Sequence, residues 1–193
     1  MIVPFQGMAP RIGQRVFVAP TATLLGDVTL GDDVSVWFNC LLRGDVNWMR
    51  IGARSNIQDA CCLHVTNDRF PLLVEEEVSV AHNVMLHGCT VRRGSLIGMS
   101  STLMDGADIG EGCLVAAGSL VREGFQAPPH TLVAGWPAEV KRDLTPAQRE
   151  LVGGLWKRYV RYKEAYFTDG WPMAEAPLVD HPQPGFLEGH PFP

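Results

Sequence analysis

The sequence predicts an all-β solenoid, a parallel β-helix of hexapeptide repeats, followed by one C-terminal α-helix. Two observations predict the solenoid. The first is an aliphatic residue that returns every six positions in Ile12, Val18, Leu24, Leu30, Val36 and Leu42. The same spacing runs through Ile51, Ile57 and Leu63, through Val74, Val80 and Leu86, and through Val91, Ile97, Leu103, Ile109, Val115 and Val121. A helix repeats every ~3.6 residues and a strand every ~2, so neither sustains such a series. A fixed short period marks a solenoid, and hexapeptides mark a parallel β-helix. The second observation is the small residue that often follows the aliphatic one: Gly13, Gly31, Gly52, Gly98, Gly110, Ala81 and Ala116. Glycine suits a corner that needs unusual backbone angles or close approach. A third observation, an apolar stripe behind a start signal at Thr145, predicts the helix.

Residues 1–124 form the predicted solenoid. Three six-residue segments make one triangular coil, so every third aliphatic position returns to the same face. Between runs the step is nine (Leu42 to Ile51), eleven (Leu63 to Val74) or five (Leu86 to Val91). The long steps read as loops bulging from a corner, the short one as a tightened corner. In that register Leu42, Leu63 and Leu86 stack, and so do the residues after them, Arg43, His64 and His87. On the neighbouring face Ile57 lies under Val80, which sets Asp59 beneath His82. Residues 125–143 hold Pro128, Pro129, Gly135 and Pro137 and read as a connecting loop that leaves the solenoid after Val121. The helix is expected over 144–168, with Thr145 as N-cap, Pro146 at the first helical position and Glu150 near the first turn. Its apolar stripe is Leu151, Val152, Leu155, Trp156, Tyr159, Val160 and Tyr166. Gly153 and Gly154 weaken it by about 1 kcal/mol each where exposed. The helix is expected to lie along the outside of the solenoid and shield it or a neighbouring subunit. Residues 169–193, with Pro172, Pro177, Pro182, Pro184, Pro191 and Pro193, read as an extended proline-rich tail.

Composition narrows the function classes. A chain of 193 residues, 46% hydrophobic, buries a substantial core in one domain. A net charge of -5 without a basic stripe argues against nucleic acid as a partner. No segment approaches the ~20 apolar residues of a membrane span. Met1 to Pro10 shows no basic stretch followed by an apolar run, so no signal peptide is read there and a cytoplasmic protein is expected. The five cysteines, Cys40, Cys61, Cys62, Cys89 and Cys113, form no Cys-x-x-Cys pair and read as small buried hydrophobes in a reducing compartment.

The chemistry lies in His64, His82 and His87. Coils stacked ~4.8 Å apart bring His64 and His87 close enough to bind one metal. His82 is expected across a corner from them, completing a site on another subunit. Three imidazoles plus an open position form the catalytic zinc pattern; Fe(II) and Co(II) suit the same donors. Such a metal lowers the pKa of bound water toward ~7. His130, His181 and His190 fall in the proline-rich loop and tail and read as surface residues. Arg43, Gly44 and Asp45 read either as a corner turn with a surface ion pair or as part of the site or subunit contact. Gln58 and Asp59 either satisfy corner backbone or, for Asp59 beneath His82, fix an imidazole tautomer.

At these residues the chain resembles the gamma-class carbonic anhydrase family of left-handed parallel β-helix proteins, in particular its short bacterial members. The matching segments are 42–47, 50–52, 56–59, 63–65, 80–83 and 86–89, then Ile97-Gly98-Met99 and Ala134-Gly135-Trp136-Pro137-Ala138. The resemblance covers about residues 8–167. It implies a homotrimer with metal sites between subunits, His64 and His87 from one chain and His82 from the next. It implies an intersubunit salt bridge of Arg43 and Asp45, and that Gln58 and Asp59 orient a metal-bound hydroxide and CO2. Tyr159 corresponds to a family tyrosine near the metal. The activity implied is reversible hydration of carbon dioxide to bicarbonate.

One departure bears on rate. The archetypal member has glutamates in an acidic loop that shuttle protons, whereas the loop after Asp45 reads Val46-Asn47-Trp48-Met49. Asp68 and Glu75, Glu76 and Glu77, in and after the next loop, are candidate substitutes, although three adjacent glutamates usually form a solvated face. Slow or conditional hydration is therefore expected. Two other classes stay open: an acyl-CoA thioesterase or acyltransferase on the same scaffold, and a non-catalytic metal-binding trimer.

Overall fold

The computed structural model describes residues 1–175. The chain winds as a left-handed parallel β-solenoid of about 7 turns with a single C-terminal helix. Each coil passes three faces in a fixed order. The first face carries the opening halves of Thr23–Leu30 and Leu41–Ile51, then Cys62–His64, Met85–His87, Thr102–Leu103 and Leu120–Val121. The second carries Arg11–Ile12, the closing halves of those two long strands, Leu72–Val74, Thr90–Val91, Asp108–Ile109 and Gln126–Ala127. The third carries Phe17–Val18, Ser35–Val36, Asn56–Ile57, Ser79–Val80, Leu96–Ile97, Leu114–Val115 and Thr131–Gly135.

The hexapeptide aliphatics fill the axis. Leu24, Leu42, Leu63, Leu86, Leu103 and Val121 are 0% exposed and form one column. Val36, Ile57, Val80, Ile97, Val115 and Val133 form another, also at 0%. Burying each such side chain contributes about 1.5–3 kcal/mol, so the columns supply the main favourable energy of the fold. The glycine after the aliphatic residue serves close approach rather than unusual backbone angles. A Cβ on Gly52 would lie 2.4 Å from the backbone carbon of Glu75 on the next coil. The left-handed conformation falls later in the corner, at Asp33, Arg54 and Glu77 (φ of 60°, 61° and 62°).

One sequence expectation needs correction. Residues 125–143 are not a loop that leaves the solenoid. Ala127 pairs with Ile109 and Val133 with Val115, so the six-residue series continues past Val121. Pro128 and Pro129 sit at a corner, where no ladder hydrogen bond is demanded of their nitrogens. The strand Ala138–Asp143 then folds back antiparallel on Thr131–Gly135. The step from Leu42 to Ile51 does bulge at its corner. Leu41–Ile51 is one strand beside Thr23–Leu30, but Gly26 pairs with Gly44 and Val28 with Met49, so three extra residues bulge between the first and second faces.

The helix runs Pro146–Thr168 and begins at a capping box. Thr145 accepts from the Gln148 backbone N–H, and the Gln148 side chain accepts from the Thr145 N–H. It covers the third face of its own chain. Val152 packs with Leu96 and Leu144, and Tyr159, Tyr166 and Phe167 pack with Phe17 and Trp37. Lys163 is fully buried, yet its Nζ donates to Asp33 (2.8 Å) and Glu164 (2.6 Å), which satisfies the charge. Beyond the helix, the Ala174 N–H donates to the Val16 carbonyl at 2.9 Å. Pro177, Pro182, Pro184, Pro191, Pro193, His181 and His190 lie outside the described residues. All five cysteines are free, and all but Cys62 are buried. No helix among the described residues is long and apolar enough to cross a membrane.

Candidate metal centre

The register of the first face brings His64 and His87 together. Met85–His87 lies on Cys62–His64 with His87 opposite His64 and Leu86 opposite Leu63. Successive side chains on a strand point to opposite faces, so burying the leucines turns both imidazoles outward. Their ring centroids are 5.1 Å apart. His64 Nδ1 and His87 Nε2 face each other at 3.1 Å.

The remaining nitrogen of each ring is held by a carboxylate. His64 Nε2 lies 3.0 Å from Asp45 Oδ1. His87 Nδ1 lies 2.7 Å from Asp105 Oδ1. An ionised carboxylate only accepts, so each neutral ring commits its single N–H there. With both rings neutral, the two nitrogens that face each other carry only lone pairs. Burial drives the His64 pKa below the ordinary histidine value against the pull of Asp45, which keeps the ring neutral near pH 7. Burial opposes the charge on Asp45, but hydrogen bonds from Arg43 and His64 prevail and hold its carboxyl below the usual range.

Facing lone pairs repel unless a cation lies between them. Their 3.1 Å separation is less than twice a zinc–nitrogen distance of about 2.0–2.1 Å, so both atoms can reach one ion. By the chemistry and spacing of its donors, the pair fits a divalent metal.

His82 sits at the other edge of this face, on the corner between Ser79–Val80 and Met85–His87. Val80 stacks on Ile57, and His82 Nδ1 lies 2.9 Å from Asp59 Oδ2. A single chain thus gathers two of the three predicted ligands. Among its described residues no group of three or more His, Cys, Asp or Glu side chains is placed to hold a metal ion. Asp59 Oδ1 also accepts from the Phe38 N–H at 3.3 Å. Gln58 is 2% exposed, and its amide donates to Asn56 Oδ1 at 3.0 Å. Tyr159 meets Trp37 edge-on at 5.6 Å. With Asp59, Phe38, Tyr162 and Tyr166, Tyr159 and Trp37 line a cleft of about 320 Å³. Burial, reinforced by Asp59, pushes the Tyr159 phenol up to about 12, so it is neutral at pH 7.

Arg43 pairs with Asp45 inside the chain. Glu75, Glu76 and Glu77 belong to a different corner, between the second and third faces, where Arg54, Arg92 and Arg93 engage them. They are committed to ion pairs and do not stand in for a proton shuttle beside His64 and His87. Asp68 is exposed and accepts from Asn67 at 2.7 Å. Asp105 went unread in the sequence although the signal was present. Leu103 stacks on Leu86, so one further coil of the same register sets Asp105 above Gly88, directly after His87.

Comparison with known proteins finds carbonic anhydrases among the relatives of this chain. Over 86% of its length the chain is 43% identical to the carbonic anhydrase of Geobacillus kaustophilus, 91% of which it covers. Over 83% of its length it is 36% identical to gamma carbonic anhydrase 2, mitochondrial, of Arabidopsis thaliana, and spans 60% of that relative. The chain belongs to the gamma carbonic anhydrase family. No family model matches it. A solved Bacillus cereus structure described as a candidate acetyltransferase has a TM-score of 0.85 at 43% identity, over 87% of this chain and 97% of that one. Membership in the gamma carbonic anhydrase family implies a metal cofactor, which the two facing imidazoles fit.

Proposed function

We propose that this chain catalyses the metal-dependent reversible hydration of carbon dioxide to bicarbonate, as a homotrimer with its sites between subunits. The observation that carries the reading is the pair of facing ring nitrogens 3.1 Å apart, each ring held at its other nitrogen by a carboxylate. His64 and His87 of one chain hold the metal with His82 of the next. Zinc suits the three imidazoles, as do Fe(II) and Co(II). When bound, the metal acts as a Lewis acid and lowers the pKa of a water it holds toward ~7.

The chain's own residues prepare that site. Asp45 and Asp105 orient two rings, and Asp59 does the same for His82 (2.9 Å). Asp59 and Tyr159 wall the cleft that receives CO2, and Gln58, tied to Asn56, braces the corner that carries Asp59. Arg43 makes no second ion pair among the described residues, so its remaining guanidinium donors serve the neighbouring subunit together with Asp45. The first face supports assembly. Its outward row of Leu41, Cys62, Met85, Thr102 and Leu120 carries no charge, lies between the His82 edge and the His64 edge, and is uncovered by the helix.

Without a carboxylate in the loop after Asp45, proton export limits turnover, so the reaction is slow unless buffer assists. The test is anaerobic purification, metal analysis and a CO2 hydration assay with and without imidazole buffer. Metal near one ion per chain with buffer-enhanced hydration supports the reading. A second reading rests on the Bacillus cereus relative described as a candidate acetyltransferase: hydrolysis or transfer of an acyl-CoA. Metal-replete protein that is inert to CO2 and cleaves an acyl-CoA would replace the first reading with the second.

A further inference from the structure

We infer that Asp105, steadied by Thr66 and admitted by Gly88, is a positioning residue that fixes His87 with its proton on Nδ1 and Nε2 as the donor to the metal. The inference rests on the metal-binding reading above and deepens it.

Three observations carry it. Asp105 Oδ1 lies 2.7 Å from His87 Nδ1, although 18 residues separate them in the chain. Its other oxygen accepts from the Thr66 hydroxyl at 2.8 Å, across 39 residues. The carboxylate is thus gripped at both oxygens from two different coils, which sets the plane in which it meets the imidazole. The third observation is at Gly88. A Cβ there would lie 2.3 Å from Asp105 Oδ1 and 2.7 Å from the Phe70 Cβ, and its φ is +51°. Any other residue after His87 would push the carboxylate off the ring.

A structural carboxylate exposed only 18% would be expected to answer a cation, yet no Lys or Arg pairs with Asp105 among the described residues. Its two acceptor atoms go to a hydroxyl and to an imidazole whose other nitrogen faces His64. Such an outer partner sets which ring nitrogen keeps the proton and raises the basicity of the other. In the other tautomer the bare Nδ1 would meet the carboxylate and the protonated Nε2 would meet His64, which closes the donor site. Asp45 does the equivalent for His64 through its Nε2, at 3.0 Å. The two rings therefore offer different nitrogens, Nδ1 of His64 and Nε2 of His87, and that is why the lone pairs converge.

The test is zinc titration against a chromogenic chelator, in the full chain, for wild type, Asp105→Ala, Asp105→Asn, Thr66→Val and His87→Ala. Thermal unfolding of the metal-free proteins and nitrogen-resolved NMR of the histidines in zinc-loaded wild type accompany it. Asp105→Ala should weaken the zinc Kd by about 10- to 100-fold. Asp105→Asn, whose amide oxygen still accepts the Nδ1 proton, should recover part of that loss, and Thr66→Val should show the smallest effect. The metal-free melting temperatures should not follow this order. The NMR should show His87 protonated on Nδ1. Wild-type affinity in Asp105→Ala overturns the inference while the metal site stands. A His87 proton on Nε2 in zinc-loaded wild type overturns it without any variant. Wild type that binds zinc no better than His87→Ala overturns the inference and the metal reading together.

Discussion

The two edges of the first face carry the same chemistry in unequal parts. At the edge entering the second face, two imidazoles meet and each has its own carboxylate. At the edge arriving from the third face, one imidazole has its carboxylate, Asp59, beside a cleft walled by aromatic rings. Among the described residues neither edge reaches the three protein ligands of a catalytic zinc site. The solenoid sets this division. Outward positions on one face stack along the axis, so a donor at one corner cannot cross the face to a donor at the other. On the proposed reading, a chain that splits its donors in this way completes its site by meeting another copy.

The most severe break of this comparison is to remove a donor from each edge in turn. His87→Ala and His82→Ala should each lose most of the metal, measured by elemental analysis, because two imidazoles and water make a poor zinc site. Trimers refolded from a mixture of the two variants should regain part of it, since some contacts pair an intact edge of each. No recovery in assembled mixtures would mean the edges do not share a site. Next in size is Asp45→Ala, which removes the partner of both Arg43 and His64. Light scattering should show a loosened trimer, against a wild-type mass about three times that of the chain, and metal content should fall in parallel. A stable monomer that keeps its metal would contradict the division.

Smaller effects sharpen the comparison on the cleft side. Gln58→Ala should remove a buried amide hydrogen bond to Asn56, at a stability cost of about 1–3 kcal/mol seen in thermal melts. A fall in kcat/KM with an unchanged melt would instead give Gln58 a direct part in hydration. The smallest effect concerns the helix. Burial works against the charge on Asp33, but hydrogen bonds from Lys163 and Arg15 win and lower its pKa. The stabilisation is therefore complete above the ordinary carboxylate pKa of about 4 and is lost as pH falls through the lower folded value. Acid titration followed by tryptophan fluorescence should report the third face first, because Trp37 and Trp171 lie under and beyond this helix. Asp33→Asn should flatten that acid transition.

Much of this was legible because a six-residue period is also a register. Once Leu42, Leu63 and Leu86 were aligned, His87 beside His64 and Asp59 against His82 followed from side-chain alternation. Reading stopped where the period was masked by unusual residues. Ala127 is small and is followed by Pro128 and Pro129, so a continuing coil looked like a loop. Asp105 was missed because only the coils bearing histidines were aligned, and its partner lies a full coil earlier. Lys163 escaped the apolar stripe because a lysine is not expected inside; only the ion pairs to Asp33 and Glu164 make that burial possible. The Arg43–Asp45 contact had an ambiguity no pattern removes, since residues two apart can pair with each other or with a second chain.

The antiparallel strand Ala138–Asp143 has a consequence for growth of the molecule along its own axis. A parallel solenoid ends in a coil whose unpaired backbone is a template for the next coil, and two such ends can in principle join into a fibre. Here the last strand of the third face is met by one running the opposite way, with Glu139, Lys141, Arg142 and Asp143 exposed along it. A reversed, charged strand offers an incoming coil neither the direction nor the apolar column it needs. The proposed trimer would then form by sideways contact between solenoids, with its number of copies set by geometry around an axis rather than left open along a line at this end.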